Sequence, residues 1–113
     1  MTATPKVIVA AQDLANASAL LYTSPANGKG TWIDKATATN HVAATHTVTV
    51  YLVPSGGSAG GTNVAVQAKP VAAAATDLLP EVVGKFLGPG DMIYAFADAA
   101  ASVNIGINGR ELT

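Results

Sequence analysis

The sequence predicts an all-β chain: a single antiparallel β-sandwich over residues 1–113. Three observations carry that expectation. Residues 45–53 alternate, with Val48, Val50 and Leu52 on one side and Thr47, Thr49 and Tyr51 on the other, a period that a helix would scatter round its axis. Short segments of the same kind recur at intervals of roughly 8–12 residues with turn residues between them. No internal repeat or shift of composition divides the chain, and its length suits one domain.

The elements follow in order. "KVIV" (residues 6–9) and "ALLY" (19–22) are short strand candidates, and "TWIDKATATN" (31–40) is a longer, threonine-rich one that contains the only tryptophan, Trp32. After the alternating stretch, "NVAVQA" (63–68) places Val64, Val66 and Ala68 on one face. "AAAATDLLPEVVGKFL" (72–87) is ambiguous in period, but Pro80 and Gly84 oppose a long helix, so it reads as strand, loop and short strand. "DMIYAFA" (91–97) groups Met92, Tyr94 and Phe96, and Val103, Ile105 and Ile107 begin a last strand that Glu111 and Leu112 extend. "SPANGKG" and "GPGD" supply turns, and "DAAAS" is expected to join the last two strands as a hairpin. Residues 1–18 have two open fates, an extended arm or a part of the sandwich.

Composition narrows the function. Charged residues are 12% of the chain against about 25% in an average domain, the net charge is −1, and no basic run exists, which argues against nucleic acid as a partner. Without cysteine there are no disulfides and no thiolate chemistry. No apolar run approaches the ~20 residues of a membrane helix, and the start "MTATPKVIVAAQDL" lacks the pattern of a signal peptide, so synthesis in a cytoplasm is expected. Half of the chain is hydrophobic, but much of that half is alanine; large core formers are few, and association with partners would add stability.

Catalytic and cofactor motifs fail their own context tests. "PSGGSAGG" (54–61) has neither the lysine nor the following helix of a phosphate loop, and "GKGTWI" and "GPGDMI" place Ile where a dinucleotide fingerprint needs its third glycine. It reads instead as a long, mobile connection between two strands, at the periphery. His41 and His46, five residues apart in an extended segment, point to opposite sides and make a poor joint metal site, even with Asp34 as a conceivable third ligand. No serine lies in a nucleophile elbow, and the carboxylates lie near turns and strand ends, where they serve local backbone donors. No catalytic residue, metal ligand or cofactor is therefore assigned. The aromatics read as core or subunit-contact residues. Trp32, beside "NGKG", is the best candidate for an exposed contact.

The segments "LLYTSPANGKGTWIDKATATN", "HTVTVYLVPSGGSAGG" and "FLGPGDMIYAFADAAASVNIGINGREL" together resemble small virion structural proteins of tailed bacteriophages, of the capsid cement or decoration type. That resemblance runs from about Ala19 to the C-terminus. It implies a jelly-roll-like sandwich, no enzymatic activity, a place on the capsid surface, and as partners the major capsid protein and further copies of the chain as a dimer or trimer. Trp32, Tyr51, Ser55, Gly56, Gly57 and Ser58 are the candidate interface residues. The alternatives are a neck, tail or fibre-associated phage protein, and a glycan-binding module that uses Trp32 and Tyr51 as stacking platforms.

Overall fold

The computed structural model describes residues 1–113 as nine strands without a helix: β1 (Ala3–Asp13), β2 (Ala19–Thr23), β3 (Gly30–Asn40), β4 (His46–Val53), β5 (Val64–Val71), β6 (Thr76–Asp77), β7 (Phe86–Leu87), β8 (Met92–Ala97) and β9 (Val103–Leu112). All pairs are antiparallel. In the first sheet, named here for β9, the order is β1-β9-β3, and β6 and β7 lie along the far edge of β3 at its two ends. In the second, named for β8, the order is β2-β8-β4-β5. With β6 and β7 taken as one interrupted strand, the first position pairs with the last, the second with the seventh, the third with the sixth and the fourth with the fifth. That is jelly-roll order, as expected.

Alternation decides which side chains enter the space between the sheets. Val48 and Val50 of β4 and Ile93, Ala95 and Ala97 of β8 face Ile33, Ala36 and Ala38 of β3 and Val103, Ile105 and Ile107 of β9, all essentially without solvent contact. The core is therefore aliphatic and includes no aromatic ring. The expectation that most aromatics are core or contact residues therefore fails in its first half: no ring is among the buried core residues, and Tyr22 only packs against them. Tyr94 and Phe96 alternate with Ile93 and Ala95, so filling the core with the small residues turns the rings outward.

One further expectation changes, and one open point is decided. Residues 98–102 are not a hairpin: β8 and β9 belong to different sheets, and "DAAAS" carries the chain across, with Ala101 at φ 57°. Turn residues show where a chain bends, not which sheet receives it. The N-terminal segment is not an arm. β1 pairs with β9 from Ala3↔Leu112 to Asp13↔Asn104, two bulges adjust its twist, and Ile8, Val9 and then Leu14 are buried.

Each end of the sandwich is tied by polar contacts. At one end the Tyr22 hydroxyl meets Glu111 (2.5 Å) and Thr31 (2.9 Å), Ser24 meets Thr31 (2.8 Å), and Lys6 pairs with Glu111. Burial, then the adjacent Glu111, pushes the Tyr22 hydroxyl up to about 12, while that same hydrogen bond holds Glu111 below its ordinary value. At the other end His41 pairs with Asp13 and His46 with Asp98, both at 2.9 Å. No buried side-chain nitrogen or oxygen lacks a partner.

Candidate docking face

All three surface depressions of the molecule lie on the outer face of the β9 sheet, and they adjoin. One, of about 260 Å³, lies between β3 and the β6–β7 loop, lined by Lys35, Ala36 and Thr37 on one side and Leu78, Pro80 and Val83 on the other. The second shares Lys35, Ala36 and Thr37 and continues over Gly106 to Val7. The third shares Val7 and Asn108 and ends at Pro5, Lys6 and Asp34. Together they make a trough across the sheet.

Its geometry follows from local sequence. Gly106, with no side chain, forms the floor: a methyl group there would make only ordinary contact, 3.7 Å from the Thr37 hydroxyl. At the β3 edge, β7 pairs with Thr31 and Trp32, the Gly84 and Lys85 backbone with Ile33, and β6 with Ala38 and Thr39. Residues 34–37 are left without a strand partner on that side. The β6–β7 loop bridges this gap. The Asp77 carboxylate accepts from the Leu79 N–H (2.7 Å), Leu79 and Val82 are fully buried, and Lys69 reaches from β5 to Asp77 and Glu81. Pinned in this way, with Leu79 at φ 45°, the loop holds Leu78 and Val83 in solvent, at 67% and 38% exposure. Phe86 packs on Trp32 with ring centroids 4.9 Å apart, and both rings stay partly exposed. Of the large apolar side chains exposed within strands and loops, Val7, Trp32, Leu78, Val83 and Phe86 lie on this side of the sandwich, and Leu20 alone on the other.

The predicted interface residues do not form one surface. Trp32 lies on the outer side of the β9 sheet against Phe86, outside the lining of the three depressions. Tyr51 lies on the opposite outer face, in the β8 sheet, beside Tyr94 and stacked on Phe96 at 6.3 Å. Trp32 and Tyr51 therefore cannot serve as one stacking platform. Ser55, Gly56, Gly57 and Ser58 lie in the β4–β5 connection, exposed and peripheral as expected. That connection is organised, however. Gly57 bonds back to Pro54 in a turn with Gly56 at φ 79°, Asn63 binds the Gly60 N–H and the Ser58 carbonyl, and Asp91 accepts from Ser55 and Gly88.

Sequence reasoning missed Leu78, Val83, Phe86 and Gly106. The adjacent pairs Leu78–Leu79 and Val82–Val83 are the signal for the first two, since a loop on one sheet edge buries one member of each pair and shows the other. The two histidines lie apart, each bound to its own aspartate, and no three His, Asp or Glu side chains are grouped so as to hold a metal ion. The only carboxylate lining the trough, Asp34, is gripped by two nitrogens of Arg110 at 2.9 Å, which hold it below its ordinary value. No helix is long and apolar enough to cross a membrane. What the face offers chemically is shape, apolar anchors, an interrupted sheet edge and lysine. Comparison with family models, with curated proteins and with solved structures finds no match.

Proposed function

We propose that the protein is a non-enzymatic virion structural component that binds the outside of a bacteriophage capsid and bridges neighbouring subunits, with the outer face of the β9 sheet as its contact surface. The observation that supports this most is the concentration of every depression, and of nearly all exposed large apolar side chains, on one face of a sandwich whose internal polar groups are all paired. Shallow, apolar relief with an open sheet edge is suited to another polypeptide; a small substrate needs converging polar groups. The phage assignment rests on the sequence resemblance, and the jelly-roll order is in keeping with it, since capsid domains are among the hosts of that fold. Repetition of weak contacts over a lattice would supply firm attachment if copies associate.

Electron microscopy of particles made with and without this chain tests the proposal. Loss of a surface density, with earlier rupture on heating, is the expected result. Unchanged density and equal shell stability would overturn it. Copy number in purified particles then separates a capsid-wide role from a neck, tail or fibre position.

A further inference from the structure

The distribution of paired and unpaired charges bears on the chemistry of the segment that enters the trough. All seven side-chain carboxylates are already engaged: Asp13 and Asp98 by histidines, Asp34 by Arg110, Asp77 and Glu81 by Lys69, Glu111 by Lys6 and Tyr22, and Asp91 by backbone N–H groups. Among the six cations, Lys6, Lys69 and Arg110 are paired in this way, whereas Lys29, Lys35 and Lys85 have no carboxylate partner. Lys35 lines the trough at the unpaired part of β3, and Lys85 closes the loop that forms its other wall, one residue from Phe86. The net charge of −1 therefore conceals a trough whose one unpaired charged side chain, Lys35, is positive.

We infer that the trough takes an extended, acidic segment of a partner protein, whose apolar side chains seat between Thr37 and the Leu78–Val83 wall while its carboxylates meet Lys35 and Lys85. This rests on the assembly role proposed above and names the partner's chemistry. An extended segment suits the groove between β3 and the β6–β7 loop, and its alternating side chains let it offer apolar groups to the wall and acids to the rim. A second copy of this chain fits poorly, because it has no free carboxylate to offer. Unpaired lysines round an apolar anchor also select against basic segments, which the anchor alone would not do.

The test is an NMR titration of isotopically labelled protein with the acetylated hexapeptide DLEVDL, and with KLKVKL as its charge-reversed counterpart. Saturable shifts at Lys35, Thr37, Leu78 and Val83 with DLEVDL alone are expected. They should weaken with added salt and weaken about tenfold in the K35E/K85E variant, whose exposed positions leave folding intact. Equal response to both peptides, shifts centred on Tyr51 and Phe96, or no saturable response would overturn the inference. The same variant keeps this distinct from the assembly role. If it binds particles as well as the parent does, the trough chemistry is wrong and the assembly role stands. If DLEVDL binds in the trough but the parent protein leaves particles unoccupied, the assembly role falls and the docking chemistry stands.

Discussion

The two outer faces of the sandwich differ in a way that composition conceals. The β8 sheet shows the aromatic face, with Tyr51, Tyr94 and Phe96 side by side, yet it has no depression and a single strongly exposed apolar side chain, Leu20. Across the molecule the β9 sheet presents threonine, asparagine and glycine beside the Trp32–Phe86 pair at one end, and there the relief and the unpaired Lys35 are found. Rings that lie against their own neighbours across the strands cover a sheet. A glycine floor and an interrupted edge open one.

Substitutions test this contrast. The largest effects should be the same for both sheets, because they share one core: Ile93→Ala and Ile105→Ala, each at fully buried positions, should each cost about 2–5 kcal/mol in chemical denaturation. Next is the pair of β9 glycines. A methyl group at Gly109 would fall 2.0 Å from the Trp32 carbonyl oxygen, so Gly109→Ala should cost about 2–3 kcal/mol by prising β3 from β9. Gly106→Ala should leave the denaturation midpoint unchanged, and Gly106→Leu should block docking by filling the trough. Phe96→Ala on the β8 face should cost about 1 kcal/mol through its lost stacking on Tyr51, without loss of particle association. The reverse is expected of Leu78→Ser, which should change stability by less than about 0.5 kcal/mol and abolish association.

The two ends of the sandwich set its pH limits. Asp13 is held below its ordinary value chiefly by His41 and then Asn104; for Asp98 burial acts upward, but the Thr47 N–H and His46 outweigh it. A carboxyl depressed by folding stabilises above its unfolded value of 3.8, and that contribution is lost as pH falls through the lower folded value. Stability should therefore fall with pH over that range, and Asp13→Asn should reduce the steepness of the fall. Tyr22 is displaced in the other direction. Its stabilisation is complete below 10.0 and is lost as pH rises towards about 12, so tyrosinate absorbance should develop late for one tyrosine and vanish from that range in Tyr22→Phe.

The strands and their turns were legible because alternation and punctuation are local. The sandwich, the ambiguous segment that became β6, loop and β7, and the outward "PSGGSAGG" connection all follow from residues close in sequence. What escaped was set by distant contacts. The transfer of the chain between sheets at residues 98–102, the docking of β1 on β9, and the bonds from Asp91 and Asn63 that order the β4–β5 connection depend on partners far along the chain or on backbone geometry. The trough itself required three strands and a loop to meet. For that reason the exposure of Trp32 was legible, whereas Gly106, with nothing to display, escaped.

Hydroxyl-radical footprinting of the protein, free and on particles, tests the central claim most directly, since it reads side-chain exposure on both faces at once. Trp32, Leu78, Val83 and Phe86 should be protected on the particle, with Leu20 and Tyr51 as reactive as in the free chain. Protection of Leu20 and Tyr51 with Leu78 and Phe86 unchanged would contradict it.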